Sequence, residues 1–218
     1  MSHHNLAKAD WSDRERIERM AASYSRRYDI LFWNALDNLT GTSPRKVVID
    51  FGCGPGLFLN DAAVKYSAEK IIGLDESPEM LEYAQRLIEE RSLVEDFELI
   101  QIDFDNTRIP LEPNIVELAF CGFMLHELRN PQDFVSQVAN ILKSGGSYIV
   151  YDYVSGDEDA FVIAMAARGM DDEHARMRYP HMCKHSIDDI VRLMTNAGLS
   201  DVKAIGVNDI RAVVIGTK

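Results

Sequence analysis

Cysteine is scarce. Cys53, Cys121 and Cys183 are the only three in 218 residues, and they lie far apart. That excludes a disulfide framework and suits reduced thiols in a cytoplasmic setting. Long apolar runs are missing too, and none approaches the ~18 residues of a membrane span. The opening Met1-Ser2-His3-His4-Asn5 has neither the basic nor the apolar region of a secretory signal. Positive charge is outnumbered, with 23 Lys and Arg against 35 Asp and Glu and a formal net charge of −12. A surface of that sign argues against gripping a nucleic-acid backbone, and otherwise serves solubility. What remains is 46% hydrophobic and 27% charged residues, the composition of an ordinary globular domain with one sizeable core.

The pattern changes near residue 45. Before it, Ser12-Asp13-Arg14-Glu15 reads as a capping box with Ser12 as N-cap. Ile17, Met20, Ala21, Tyr24 and Tyr28 then recur at helical spacing, and a second helical stretch runs from Leu31 to Leu39 and ends at Gly41. Residues 1–44 are therefore expected to form a helical extension. From 45 to 218, strands and helices alternate, which predicts a parallel sheet covered on both faces. Strands are expected from Val47, over Lys70–Asp75, Phe97–Ile102, Ile115–Cys121 and Ser147–Tyr153. Helices fall at Leu57–Tyr66, after Ser77-Pro78, and over Pro131–Leu142, where Lys143-Ser144-Gly145-Gly146 stops the last. Residues 154–185 break the rhythm and are too long for an ordinary connection. After a helix from Ser186 with Gly198 as C-cap, Val202–Val207 and Ile210–Ile215 read as a hairpin around Asn208-Asp209. The last strand should then run against the others.

In such a sheet, ligands bind beyond the carboxyl ends of the strands. The first strand ends at Asp50 and Gly52-Cys53-Gly54-Pro55-Gly56, the second at Asp75, the third at Asp103 and the fifth at Asp152-Tyr153. A nicotinamide dinucleotide wants G-x-G-x-x-G, but Leu57 occupies the third glycine's place. The spacing is G-x-G-x-G, with Asp50 two residues in front.

That loop resembles the first motif of class I S-adenosylmethionine-dependent methyltransferases, and the resemblance continues over residues 45–153. Ile72-Gly73-Leu74-Asp75-Glu76-Ser77-Pro78-Glu79-Met80 is similar to the family's second motif, and Ile102-Asp103-Phe104 to its adenine-contacting turn. Phe120-Cys121-Gly122-Phe123-Met124-Leu125-His126-Glu127-Leu128 resembles the fourth-strand motif. Leu142-Lys143-Ser144-Gly145-Gly146 looks like the "LKPGG" turn, with serine in place of proline. Ala22, Tyr28 and Asp29 resemble the N-terminal "A-x-x-Y-D" segment of quinone-biosynthesis C-methyltransferases. The resemblance implies an α/β, Rossmann-like seven-stranded sheet, mostly parallel with an antiparallel last strand, and residues 154–185 as a helical lid.

It also implies S-adenosylmethionine as cofactor, leaving as S-adenosylhomocysteine, and methyl transfer to a small organic acceptor by in-line displacement. Gly52, Cys53, Gly54 and Gly56 would approach the methionine part, with Asp50 in a nearby polar network. Asp75, with Glu76 and Met80, would hold the ribose side, Asp103 and Phe104 the adenine, and Cys121 and Gly122 the cofactor's flank. Tyr28 would reach the methionine carboxylate, or simply pack the core with Tyr24. His126 is the candidate general base, with Asp152 and Tyr153 behind it. The acceptor pocket is expected from Tyr24, Phe123, His126, Met165, Arg168, Arg178 and His181. The methionines there read as an adaptable wall or a plain core stripe, the arginines as an anion site or a solvated face. No resident metal is expected, although His181, Cys183 and His185 could line one side of an extended segment. The expected partner is a small molecule, without nucleic acid or membrane, and the chain is expected to be a monomer or homodimer. Rival readings are RNA or protein methylation, modification of the cofactor itself, or a sensor that binds the cofactor without turnover.

Overall fold

The computed structural model describes residues 13–41, 43–91 and 94–218. Three helices, α1 (Arg14–Ala22), α2 (Tyr24–Arg27) and α3 (Ile30–Thr40), precede the first strand. The alternating part follows as β1 (Val47–Phe51), α4 (Leu57–Tyr66), β2 (Lys70–Asp75), α5 (Pro78–Arg91), β3 (Asp96–Gln101) and β4 (Val116–Gly122). A single 3-10 turn, Leu125–Glu127, leads to α6 (Pro131–Ile141) and β5 (Leu142–Tyr153). Residues 154–185 carry α7 (Glu158–Ala166) and α8 (Asp172–Met182); α9 (Ile187–Asn196), β6 (Ser200–Asn208) and β7 (Arg211–Thr217) complete the chain.

The seven strands form one sheet in the order β3-β2-β1-β4-β5-β7-β6. The first five are parallel, and β7 runs antiparallel to both β5 and β6, as the hairpin requires. Successive residues of a strand face opposite sides of a sheet. Val48 therefore joins Phe58, Leu59 and Phe120 on one side, while Ile49 joins Ala119, Phe134 and Val138 on the other. Both sides are covered by helices, which is why the central strands are apolar throughout. Chain order reverses between β1 and β4, and such a switch point leaves a crevice at the carboxyl ends.

Several boundaries differ from expectation. Asp13, not Ser12, caps α1 by accepting from Glu15 N at 3.0 Å; Ser12 lies outside the described residues. The helical run towards Tyr28 breaks at Ser23, so Tyr28 becomes the C-cap of the short α2. Lys143–Gly146 does not stand outside β5. It bulges within the strand, between the pairs Val116–Leu142 and Leu118–Ser147, and the backbone of Lys218 ties it down at Gly145 and Gly146. Ala197 is the C-cap of α9, and Gly198 follows it at φ +85°.

Gly56 sets how closely α4 approaches α5. It sits at φ +77°, and an added Cβ would lie 2.9 Å from Ala84 Cβ and 3.2 Å from Ala84 Cα. Ala84 is fully buried on α5, so neither partner can give way. Gly56→Ala should cost roughly 2–4 kcal/mol from left-handed strain plus overpacking. Urea unfolding measures this, and an unchanged midpoint would show that the helix spacing does not depend on Gly56.

Candidate functional site

The loop after β1 is held against the end of β2 by its own backbone. Gly52 N and Cys53 N both donate to the Leu74 carbonyl, at 2.8 and 3.0 Å. Gly54 N donates to Asp75 Oδ2 at 2.8 Å, and Ser77 N to Asp75 Oδ1 at 2.9 Å. These amides are consumed inside the protein, so they cannot cradle a phosphate as a dinucleotide loop does.

Beside this loop lies a cavity of about 350 Å³, a size typical of small-molecule sites. Asp50, Gly52, Cys53 and Gly54 line it from β1, and Asp75, Glu76 and Met80 from the end of β2 and α5. Phe104 follows β3, Gly122 and Phe123 end β4, and Tyr24 and Tyr28 close over from the N-terminal helices. Tyr28 lies so close to Gly122 that a Cβ there would be 2.4 Å from its hydroxyl, so only glycine fits. Phe123 takes φ +55°, a conformation costly for a bulky residue, and its amide donates to Tyr151 O at 2.8 Å.

Three residues expected at a cofactor are placed elsewhere. Gly56 packs on α5. Cys121 is fully buried behind the cavity, and burial pushes its thiol up. Asp103 caps its own loop, accepting from Asp105 N at 3.0 Å and Asn106 Nδ2 at 2.7 Å, and it does not line the cavity. Its neighbour Asp105 does.

The walls are acidic. Among the described residues, Asp50, Asp75, Glu76, Glu79, Asp105 and Glu127 line the cavity against one basic side chain, Arg27. Asp50 is 3% exposed, and among the described residues no donor reaches its carboxylate. Burial, with Asp75 nearby, pushes Asp50 well above the usual carboxylate range. Burial also raises Asp75, partly offset by the Ser77 and Gly54 amides. Burial and the Asp50 charge push the Tyr28 hydroxyl up, so it stays a phenol. The Tyr24 hydroxyl is already committed to Asp61 Oδ2 at 2.7 Å. Arg27 donates through Nη2 to Met20 O at 3.0 Å, while its buried Nε has no partner. Sequence reasoning missed Arg27, although its place directly before Tyr28 in the N-terminal segment was a usable signal. It missed Glu127 for want of any pattern.

The expected catalytic group, His126, stands off the cavity and is paired with carboxylates. His126 is 4% exposed and does not line the cavity. Its Nδ1 lies 2.6 Å from Asp152 Oδ1, and its Nε2 3.4 Å from Glu127 Oε1. Burial alone would push its pKa down, but the two carboxylates outweigh it and hold His126 at about 10. An imidazolium at neutral pH cannot be a general base. Asp152 is spent on His126 and on Tyr153 N, at 2.8 Å. Tyr153 is 4% exposed, packs on Phe123 and Phe161, and its hydroxyl accepts from Arg168 Nη1 at 2.5 Å.

The expected acceptor residues of α7 and α8 also stand away from the cavity. Met165 is core, packed with Phe161, Ala175 and Cys183. Arg168 is committed to Tyr153, and Arg178 is not on the walls. His181 lies within α8 and approaches Glu127 Oε2 at 3.2 Å. Cys183 caps that helix, so His181, Cys183 and His185 do not share an extended segment. Among the described residues no group of three or more His, Cys, Asp or Glu can hold a metal ion, and no helix is long and apolar enough to cross a membrane.

Residues 49–150 match the family model for a methyltransferase domain. A ribosomal protein L11 methyltransferase from Alteromonas mediterranea is 34% identical over 138 residues, covering 61% of this chain and 44% of that protein. A demethylmenaquinone methyltransferase from Tropheryma whipplei is 26% identical over 147 residues, covering 64% of this chain and 58% of that protein. The chain thus spans about half the length of these curated relatives. The crystal structure of a SAM-dependent methyltransferase from Aquifex aeolicus superposes with a TM-score of 0.70 at 19% identity, over 94% of this chain and 97% of that one. At that identity the likeness establishes a shared fold.

The His126 cluster makes a signed pH prediction. His126 moves from 6.5 to about 10, so its contribution to stability is full below pH 6.5 and is lost as pH rises through 10. Glu127 moves from 4.5 to about 2, chiefly because His126 bonds it, so its contribution is full above pH 4.5 and is lost towards pH 2. The stability margin of the native chain over His126→Gln should therefore peak between about pH 4.5 and 6.5 and shrink towards pH 10. Urea unfolding across that range tests it; a margin independent of pH would rule out the imidazolium.

Proposed function

We infer that this chain, whose residues 49–150 match the family model for a methyltransferase domain, is a class I S-adenosylmethionine-dependent methyltransferase that binds its cofactor in the acidic cavity and methylates a small organic acceptor. The observation that carries the reading is Asp50, a buried carboxylate that no donor among the described residues reaches, on the wall of a cavity beside Asp75. Two carboxylates whose ionisation is disfavoured by burial are complementary to a cation, and a sulfonium with an α-ammonium group is one. Arg27, with its unpartnered Nε, and the phenol of Tyr28 offer donors to the ligand's own carboxylate. Met80, Phe104 and Leu128 offer an apolar slot for a flat base. Asp75, which accepts from the backbone amides of Gly54, Ser77 and Glu76, still has lone-pair capacity for a ribose hydroxyl.

When bound, the cofactor supplies an activated methyl group with a neutral thioether as leaving group. The protein's part is alignment and exclusion of water. Gly122, Phe123 and Met124 form the wall at the end of β4, and Tyr24 and Tyr28 cover the cavity from above. Glu127 is held ionised near pKa 2 and is a poor proton acceptor, so the reading favours acceptors that need no strong base. Transfer of a labelled methyl group into a metabolite extract, compared with RNA and protein fractions, tests the acceptor class. Label confined to macromolecules would overturn the small-molecule reading, and absence of transfer with intact binding would favour a sensor.

Calorimetry tests the cofactor. Asp75→Ala should weaken S-adenosylmethionine about 10- to 100-fold, as for the loss of ~1.5–3 kcal/mol from hydrogen bonds to a charged group. Because Asp50 is pushed up in the free protein, a cation that ionises it must displace a proton. Affinity for cationic S-adenosylmethionine should therefore fall more steeply with acidification than affinity for uncharged-sulfur S-adenosylhomocysteine. Parallel slopes would dissociate Asp50 from the sulfonium.

A further inference from the structure

Arg211 opens β7, and its buried side chain reaches back to the N-terminal helices 182 residues away. Nη2 donates to Asp29 Oδ2 at 2.9 Å. Nη1 donates to the Arg27 carbonyl at 2.8 Å and to the Tyr151 hydroxyl at 2.6 Å. Tyr151 itself donates to the same Arg27 carbonyl at 2.7 Å. Tyr28 thus lies between two residues that are both tied to the sheet. Asp29 has a second task, since its Oδ1 caps α3 by accepting from Leu31 N at 3.1 Å and Phe32 N at 3.0 Å.

The tie matters because α2 is only four residues long and follows the break at Ser23. A helix that short has no stability of its own. Its position depends on tertiary bonds, and Arg211 supplies those at its C-terminal end. Arg27 and Tyr28 are the residues displaced if that end lifts, and both line the cavity. Tyr28 is also the residue for which Gly122 leaves room.

We propose that Arg211 is a positioning residue for the cofactor: by pinning Arg27 and Asp29 to β7 and Tyr151 to the same carbonyl, it holds Tyr28 and Arg27 on the cavity, so that cofactor affinity is set from the last strand of the sheet. The proposal rests on the cofactor reading above. Arginine is required because its planar fork spans three acceptors, which a lysine ammonium on a flexible stem cannot do. A cap that docks only part of the time lowers apparent affinity by the docked fraction.

Calorimetry with S-adenosylhomocysteine and limited trypsin cleavage after Arg26 and Arg27 form the test. Arg211→Met should weaken the ligand about tenfold, as for a cap docked one tenth of the time, and should speed cleavage at Arg26 and Arg27. Arg211→Lys should fall between Arg211→Met and the native chain. Asp29→Asn retains a capping oxygen and loses the ion pair; it should shift both readouts the same way, and the double variant should be no worse than Arg211→Met. If Arg211→Met does not fold, Asp29→Asn carries both measurements alone. A folded variant with a lowered melting temperature, affinity within about twofold of native and unchanged cleavage would make Arg211 merely structural and overturn the proposal. A native chain that fails to bind S-adenosylhomocysteine would instead overturn the cofactor reading, while the cleavage rates still decide whether Arg211 docks the cap.

Discussion

Gly54 donates its amide to Asp75 at 2.8 Å, and this bond decides what the glycine loop is for. Together with the two amides that point at the Leu74 carbonyl, it turns the loop's donors inward, towards β2. A loop that binds pyrophosphate needs those donors facing the ligand. Here the ligand side is left with carboxylates, Asp50 and Asp75, and with close backbone approach at Gly52 and Gly54. The same strand-turn-helix framework that offers amide donors to an anion elsewhere thereby presents carboxylates to the cavity. Gly56, the last glycine of the loop, belongs to a different problem, the fit of α4 on Ala84 of α5.

Two buried carboxylates so close are costly without a partner. Burial disfavours each charge, and the pair disfavours both together. Asp75 recovers part of this from the backbone amides of Gly54, Ser77 and Glu76, whereas Asp50 recovers nothing among the described residues. A protein keeps such a group where a ligand completes it. The aromatic cover has the same logic: Tyr24 stacks on Tyr28 at 4.7 Å, and Tyr28 meets Phe123 edge-on at 6.0 Å, so apolar rings face the cavity opposite the acids. Rings over a cation contribute attraction of their own.

What the sequence disclosed followed from local rules. Leu57–Tyr66 and Lys70–Asp75 were read with their observed limits because apolar periodicity and Ser77-Pro78 act within a few residues. The positions of Asp50 and Asp75 followed from the strands that end on them. What stayed hidden depends on partners remote in sequence. Lys143–Gly146 reads as a helix stop, yet it becomes a strand bulge because Glu117 and Lys218 hold it from outside. His126 reads as a base, and Asp152, 26 residues away, together with Glu127 raises its pKa. Arg211 carries no local pattern at all, since its partners Arg27 and Asp29 lie in the first helices. Residues 154–185 were marked as exceptional by length and by their Met, Arg and His content; Met165, Met170 and Met182 became part of a small core of their own, while Met177 is exposed.

That small core acts on the cavity from behind. Gly122, Phe123, Met124, Glu127 and Leu128 form one wall of the cavity, and on its other side this stretch faces α7 and α8. Phe123 packs on Tyr153, Glu127 bonds His181, and the Leu128 carbonyl accepts from Lys184 Nζ at 2.7 Å. The left-handed backbone at Phe123 lets consecutive residues serve both sides, its ring to the cavity and its amide to Tyr151. Strain at such a residue persists only where its surroundings over-determine it, and here β4, β5 and the α7–α8 core all do. Changes in α7 and α8 therefore reach the cavity through the shape and charge of this wall, above all through Glu127, whose carboxylate is shared between two imidazoles and the cavity. The arginines of that region are already paired with Tyr153, Glu158 and Asp159, or lie off the walls. Among the described residues, the charge that this wall presents to the cavity is consequently its own, and at Glu127 it is negative.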